Sequence, residues 1–357
     1  MDAKNLDIES LLCRNSVASS TSEVSLFLKA KRVLITGAAG SIGSELVRQI
    51  AKFDPESITF YDHNETNQFF LEKEINSLFP NLKIIPRIGS VSDKDRAKAI
   101  FDEANPQIVY HAAANKHVPL SESNPSEAIN NNILGTKIIS DIASESLCEA
   151  FVLISTDKAV NPTSVMGATK RIAEYYIQLK SKSNLNCRFL TVRFGNVLGS
   201  SGSVVPIFKS QIEAGGPVNV THPDMTRYFM TIPEAAQLLL QTSTFGDTGG
   251  IYVLDMGEPV KIIDLAKRMI SVLSPDSNIE IKFSGVRPGE KIQEELSFSH
   301  ETTESTKHPQ IRNTKTNLPS QDVIPLILDL VSLDKDTHAS ILKARLQHLI
   351  PESKLNV

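Results

Sequence analysis

A hydroxyl, a carboxylic acid and a primary amine occupy consecutive positions at Thr156, Asp157 and Lys158, and a second amine follows at Lys170. An acid beside an amine suits chemistry that must remove a proton from carbon and also protonate a leaving group. Met166 stands four residues before Lys170, and its thioether has no proton to exchange. The set points to elimination more than to simple oxidation of an alcohol.

A second group of residues could hold a phosphate. Thr36-Gly37-Ala38-Ala39-Gly40-Ser41-Ile42-Gly43 follows the apolar run Val33-Leu34-Ile35 and opens an amphipathic stretch. Glycines at Gly37, Gly40 and Gly43 permit a tight turn and close backbone approach, and the helix that begins at Ser41 and Ile42 would point its N-terminus at a pyrophosphate. Asp62 ends the next apolar run, roughly 20 residues beyond the glycines, where a carboxylate can accept from a ribose 2'-hydroxyl and would repel a 2'-phosphate. No arginine follows it in Asp62-His63-Asn64-Glu65, so NAD is favoured over NADP. The alternative is that Asp62 caps the helix starting near Asn64.

Positioning these groups requires a scaffold, and the apolar pattern supplies one. Short runs alternate with amphipathic ones: Val33 to Ile35 then Ser41 to Phe53, Ile58 to Tyr61 then Asn64 to Phe79, Ile84-Ile85 then Ser92 to Ala104. The rhythm continues through Ile108 to Tyr110, a helix over Ile129 to Ile142, the strand Phe151 to Ile154, a helix over Ser164 to Leu179 and the strand Phe189 to Val192. This is the signature of βαβ units, predicting an α/β, Rossmann-type doubly wound parallel sheet with a smaller C-terminal substrate-binding lobe. The expected divisions are an N-terminal arm over 1–30, the NAD-binding domain over 31–195 with 231–255 returning to it, the substrate lobe over 196–230 and 256–300, and a helical tail over 301–357. Pro233 to Leu240 reads as a helix with proline in its first turn, and Ile251 to Leu254 as a strand of the main sheet.

Composition excludes several classes. A net charge of -4 gives no reason to expect nucleic acid or an anionic membrane as partner. Cys13, Cys148 and Cys187 are odd in number and widely spaced, so neither a disulfide framework nor a metal site is indicated. No run approaches the roughly 18 apolar residues of a membrane span, and the start lacks a signal peptide, so a cytoplasmic location is expected.

Taken in order, TGAAGSIGSE, YDHNE, HAAANKHVPL, NNILGT, STDKAVNPTSVMGATKR, RFGNVLGSSGSVVPIF, TRYFMTIPEA and RPGEK make the chain resemble the extended short-chain dehydrogenase/reductases. More narrowly it is similar to the CapD-like nucleotide-sugar 4,6-dehydratases of bacterial polysaccharide biosynthesis, among them the UDP-N-acetylglucosamine 4,6-dehydratases. The resemblance covers about Asp7 to Leu296. Short-chain enzymes normally carry Tyr-x-x-x-Lys; Met166 for that tyrosine marks one branch of the dehydratases, the longer membrane-attached type, whose linker Asp7 to Val17 resembles.

The resemblance implies roles position by position. Ser90 and Val91 would lie at the adenine, with Ser90 where the family commonly has aspartate, and His111-Ala112-Ala113-Ala114 along the cofactor. His111 itself reads better as structural than catalytic. Asn132 would brace the central helix. Lys116 and His117 would line the sugar pocket or sit at the surface, while Asn196, Arg227, Arg287 and Glu290 would grip the nucleotide sugar, since a diphosphate needs cationic or amide donors. Val205 and Pro206 would flank the uracil or belong to the core. Arg193 reads as structural.

For the chemistry, the resemblance implies that NAD takes a hydride from C4 of a UDP-sugar, that Lys158 removes the C5 proton and that Asp157 protonates the departing 6-hydroxyl. Burial and a neighbouring cation, Lys170 or the nicotinamide, are expected to depress the Lys158 pKa. Thr156 would hold the 4-oxygen and Lys170 the nicotinamide ribose, with a relay through both taking the 4-hydroxyl proton. The expected partners are a UDP-sugar and further copies of the chain as a homo-oligomer. Two other readings remain open: a nucleotide-sugar 4-epimerase, and a catalytically silent NAD-binding regulator or scaffold.

Overall fold

Apolar runs of four to seven residues pair edge to edge here because helices cover both faces of the sheet they form, so the strands carry apolar residues on both sides rather than in alternation. The computed structural model describes residues 21–146, 148–183, 186–316 and 319–355. Of the expected arm, a helix at Thr21–Leu28 is described, whereas Cys13 and the stretch Asp7 to Val17 lie outside the described residues.

Among the described residues nine strands build the main sheet: β1 (Arg32–Thr36), β2 (Ser57–Asp62), β3 (Lys83–Ile88), β4 (Ile108–His111), β5 (Ala150–Thr156), β6 (Arg188–Phe194), β7 (Ile251–Leu254), β8 (Thr302–Ser305) and β9 (Ile311–Lys315). Their order is β8-β9-β7-β6-β5-β4-β1-β2-β3. All pairs from β3 to β7 are parallel, and β9 joins β7 antiparallel. Strand order reverses at β1, with β2 on one side and β4 on the other; the crevice beyond the carboxyl ends there is where doubly wound sheets bind ligands. Thr36 pairs in register with Tyr61 and His111, so the glycine turn, Asp62 and Ala112 leave the sheet at one level.

Helices Ser41–Ile50 and Ile232–Phe245 pack one face, contributing Leu46, Val47, Ile50, Leu238 and Leu239 to one cluster. Helices Lys94–Ala104, Gly135–Glu145 and Val165–Ser183 pack the other through Phe101, Ile139, Ile142 and Ile177. A third cluster joins helices Val204–Glu213 and Ile262–Leu273 to the short parallel pair Val218–Val220 and Ile281–Phe283. Among the described residues no helix is long and apolar enough to cross a membrane.

The segment 301–357 is not solely helical. It first adds β8 and β9 to the sheet edge, strands that pattern could not reveal because all four residues of β8 are exposed and polar. Helices Val323–Ser332 and Ala339–Leu349 then cover Val165, Ala168 and Ile172 of the long helix with Ile327, Leu330, Leu342 and Leu346.

Beneath that helix lies a buried charge network. The Arg193 guanidinium donates to both oxygens of Glu174 at 2.8 Å and to both oxygens of Glu301 at 3.0 and 3.2 Å, while Arg171 reaches Glu174 at 3.0 Å. Burial opposes ionisation of Glu174, yet Arg193 and Arg171 hold its carboxyl down at about 2. Removing one member strands the others in a dry interior, so Glu174→Ala is expected to cost about 3–5 kcal/mol, read as a lower urea midpoint. Because the folded pKa lies below the ordinary value of 4.5, this contribution is fully present above that pH and is lost as pH falls towards about 2.

Candidate active site

The glycine turn is pressed flat against the end of β4. Gly37 has φ +63°, and a Cβ there would lie 2.6 Å from the Ala113 nitrogen. At Gly43 a Cβ would come within 2.0 Å of the Gly37 carbonyl, so backbone occupies the space of any side chain. Gly40 caps the helix Ser41–Ile50 without a side-chain acceptor, leaving first-turn N–H groups near Ser41 and Ile42 open to an anion. Asp62 Oδ2 accepts from Ala39 N (2.9 Å) and Oδ1 from Asn64 N (2.8 Å). Asp62 therefore ties the turn to the end of β2, and the cap of Glu65–Leu78 is Asn64, which accepts from Asn67 N. The capping alternative for Asp62 is thereby corrected.

A groove runs past Gly37, Gly40, Asp62, Val91, Ala112 and Ala113, all expected there, and also past Tyr61, His63, Asn67 and Asn131, which pattern did not single out. Ser90 lies outside this lining. Its hydroxyl shares a 2.8 Å hydrogen bond with Ser92, its carbonyl accepts from Tyr61 OH, and Gly89 takes its place at the groove.

A chain of hydroxyls holds the groove floor. Thr136 Oγ1 donates to the Asn132 carbonyl (2.7 Å), so His111 Nε2 must donate to Thr136 (3.0 Å) and Nδ1 must accept from Thr36 Oγ1 (2.7 Å). Burial, aided by Lys170, lowers the His111 pKa to about 3, so the ring is a neutral strut. Asn132 lies in a π-helical turn, Ile129–Leu134, and its amide bridges both backbone groups of Asn115 to Thr169 Oγ1 on the long helix.

Thr156 ends β5, and Asp157–Ala159 form a 3₁₀ turn before the helix Val165–Ser183. Thr156 Oγ1 donates to Asp157 Oδ1 at 2.8 Å. Lys158 Nζ reaches Asp157 Oδ1 at 3.0 Å, Asn196 Oδ1 at 3.1 Å and Glu294 Oε1 at 3.4 Å. Asp157 is 0% exposed, and its Oδ2 has no hydrogen-bond partner among the described residues; neither has Glu294 Oε2. Buried carboxylate oxygens without donors are costly, which marks both as places a ligand or a proton would occupy.

The expected depression of Lys158 is overturned. Burial does push its pKa down, but Asp157 and Glu294 outweigh that and Arg227, so it is raised. The missed residue is Glu294, whose acidic neighbours Glu290 and Glu295 hid which one would face the amine. Lys170 is the depressed amine instead: burial takes it to about 8 against the pull of Glu174, and its Nζ donates to the Ile154 carbonyl (2.7 Å). Met166 is buried, and at the neighbouring Gly167 a Cβ would meet the Lys158 carbonyl at 2.2 Å, so the helix seats directly on the Asp157–Ala159 turn.

The other expected contacts divide. Asn196 joins Lys158 as described. Arg227 is committed to the carbonyls of Thr226, Lys291 and Ile292, with Glu294 at 3.7 Å, so it braces the RPGEK segment rather than presenting a free fork. Arg287 and Glu290 pair with each other, Nε to Oε1 at 3.0 Å, on the wall of a second groove. Lys116 donates to the Ser201 carbonyl (2.9 Å), and His117 backs onto Gly202, while Ser201 N donates to Ser41 Oγ (3.2 Å), so this loop lies over the glycine turn. Val205 packs with Phe208 and Ile212 in the lobe core, whereas Pro206 is exposed.

The arrangement offers an open helix N-terminus with the Asp62 carboxylate beside it, and beyond it the hydrogen-bonded Asp157–Lys158 pair. Residues 33–316 match the family model described as "Polysaccharide biosynthesis protein". The chain is 52% identical over 309 residues to the capsular polysaccharide biosynthesis protein CapD of Staphylococcus aureus, covering 86% of this chain and 51% of that one. It thus spans about half the length of that relative. It is 34% identical to a Campylobacter jejuni UDP-N-acetylglucosamine 4,6-dehydratase (inverting) and also to a Rickettsia rickettsii UDP-glucose 4-epimerase, each over 76% of this chain and 79% of the other. The solved structure of Pen from Bacillus thuringiensis superposes with a TM-score of 0.75 at 34% identity, covering 83% and 89% of the two chains. That of WbmF from Bordetella bronchiseptica, solved with NAD+ and UDP, has the same fold, with a TM-score of 0.60 at 20% identity over 74% and 85%.

Proposed function

This chain belongs to the polysaccharide biosynthesis protein family, a CapD-like group of extended short-chain dehydrogenase/reductases, and from that premise we propose that it is an NAD-dependent 4,6-dehydratase of a UDP-sugar, UDP-N-acetylglucosamine by preference. The observation that carries the reading is the buried Asp157–Lys158 pair with its unpartnered Asp157 Oδ2. A dinucleotide fits the groove on two counts: the uncapped N-terminus at Gly40 for its pyrophosphate and Asp62 for its ribose hydroxyls. When bound, NAD supplies hydride removal from C4 and hydride return at C6.

The chain's own groups handle the protons. Thr156 holds the 4-oxygen, and Lys170, brought to about 8 by burial, relays the 4-hydroxyl proton in place of a tyrosine. Oxidation at C4 makes the C5 hydrogen acidic. Passing the shared proton from Lys158 Nζ to Asp157 across 3.0 Å leaves a neutral amine to take the C5 proton and a carboxylic acid to protonate the departing 6-hydroxyl. No net proton is needed from solvent, with which the hydrogens of the partly exposed Lys158 ammonium exchange. After water leaves, the Lys158 ammonium returns a proton to C5, which leaves a neutral amine beside an ionised Asp157, and the 4-hydroxyl proton relayed through Lys170 restores the pair.

The epimerase reading draws support from the Rickettsia relative, which is as similar as the dehydratase. It gives Asp157 no task, since epimerisation releases no hydroxyl. Incubating the protein with UDP-N-acetylglucosamine in deuterated water and following the sugar by NMR and mass spectrometry separates the outcomes. Loss of water with one deuteron at C5 is expected. Change at C4 alone would establish epimerisation, and no turnover with NAD bound would leave the silent regulator.

A further inference from the structure

Arg287, Pro288, Gly289 and Glu290 share their groove with Thr163 and with Lys354, which lies far outside the segment matched by the family model. We propose that the C-terminal segment completes the substrate site, with Lys354 binding a phosphate of the nucleoside diphosphate. The inference rests on the nucleotide-sugar reading and extends it to a residue that neither the motifs nor the comparisons assign.

The segment is built into place. Lys354 N donates to the Pro162 carbonyl at 2.8 Å, fixing it beside the loop that leads from the catalytic turn into the helix Val165–Ser183. On either side, Glu352 Oε1 accepts from Tyr175 OH (2.8 Å), and Leu355 N donates to Gln347 Oε1 (3.0 Å). Thr163 Oγ1 donates to the Gly289 carbonyl (3.0 Å), so the Pro162–Thr163 loop joins the RPGEK segment to the chain's end. Backbone order thus presents an otherwise free lysine at one edge of the groove.

Charge favours an anion there. Arg287 is already answered by Glu290, which accepts from its Nε (3.0 Å) and its Nη2 (2.5 Å). No ion pair joins Lys354 to another described residue, which leaves it the unanswered cation of the groove. A compact ammonium on a flexible stem is a point-charge binder suited to a phosphate.

Calorimetric titration with UDP, and NMR titration with uridine, of the full chain and of Lys354→Met and Lys354→Arg test this. Lys354→Met is expected to weaken UDP about tenfold, the size of one solvent-exposed charge-assisted contact, and to leave uridine unchanged; Lys354→Arg should recover most of the loss. The substitution keeps the backbone bond to Pro162, and an unaltered unfolding midpoint will show that the tail stays docked. Unchanged UDP affinity in Lys354→Met, or an equal loss for uridine, overturns the inference while the nucleotide-sugar reading stands. Wild-type protein that binds NAD but ignores UDP removes both.

Discussion

Lys158→Met is expected to lower kcat by about 10²–10⁴-fold with NAD still retained, because the amine is the group placed to take the C5 proton and the cofactor groove is built from other residues. Bound cofactor is read by absorbance and the product by mass spectrometry. Full turnover in this variant would sink the base assignment. Its companion, Glu294→Gln, reads the electrostatics directly. Glu294 and Asp157 raise the Lys158 pKa, since negative charge stabilises the ammonium. Removing one charge while keeping the shape must lower it. In a bell-shaped pH profile the alkaline limb is where the pair loses its shared proton, so that limb is expected at lower pH in Glu294→Gln. An unmoved limb would show that Glu294 does not act on Lys158. Asp157, Arg227 and Lys291 are the remaining charges around the amine, and they are unchanged in the variant.

The glycine turn was legible in sequence because its constraints are local. Gly37, Gly40 and Gly43 are needed where backbone meets backbone, and Asp62 ends the neighbouring strand at the same level. Helix starts obey equally local constraints, Asn64, Asp93 and Thr231 each accepting from a nitrogen three residues on, although the one cap weighed from sequence was Asp62. What escaped depends on distant parts of the chain meeting. Lys158 read as a depressed amine because nothing in the spacing of Glu290, Glu294 and Glu295 says which will face it. Arg227 read as a free donor because its carbonyl partners at Lys291 and Ile292 come from another segment. The β8 strand was invisible for lack of any apolar face, its residues having only the sheet edge to satisfy.

Asp157→Asn should divide the reaction in two. An amide at this position can still accept from Thr156, and Lys158 keeps Glu294 and Asn196, so the fold of the turn is preserved. What is lost is the carboxyl that holds the shared proton. Oxidation at C4 does not draw on it, whereas departure of the 6-hydroxyl does. Product formation is therefore expected to fall by about 10²–10⁴-fold while reduced nicotinamide accumulates on the enzyme, visible in its near-ultraviolet absorbance. In deuterated water the recovered sugar should carry little deuterium at C5, since without the carboxylate the Lys158 ammonium has no group to take its proton. Loss of both steps together, with no reduced cofactor, would place Asp157 at the C4 oxidation and overturn its role as the acid. An epimerase would show no such block, because its hydride returns to C4 before any 6-hydroxyl is asked to leave.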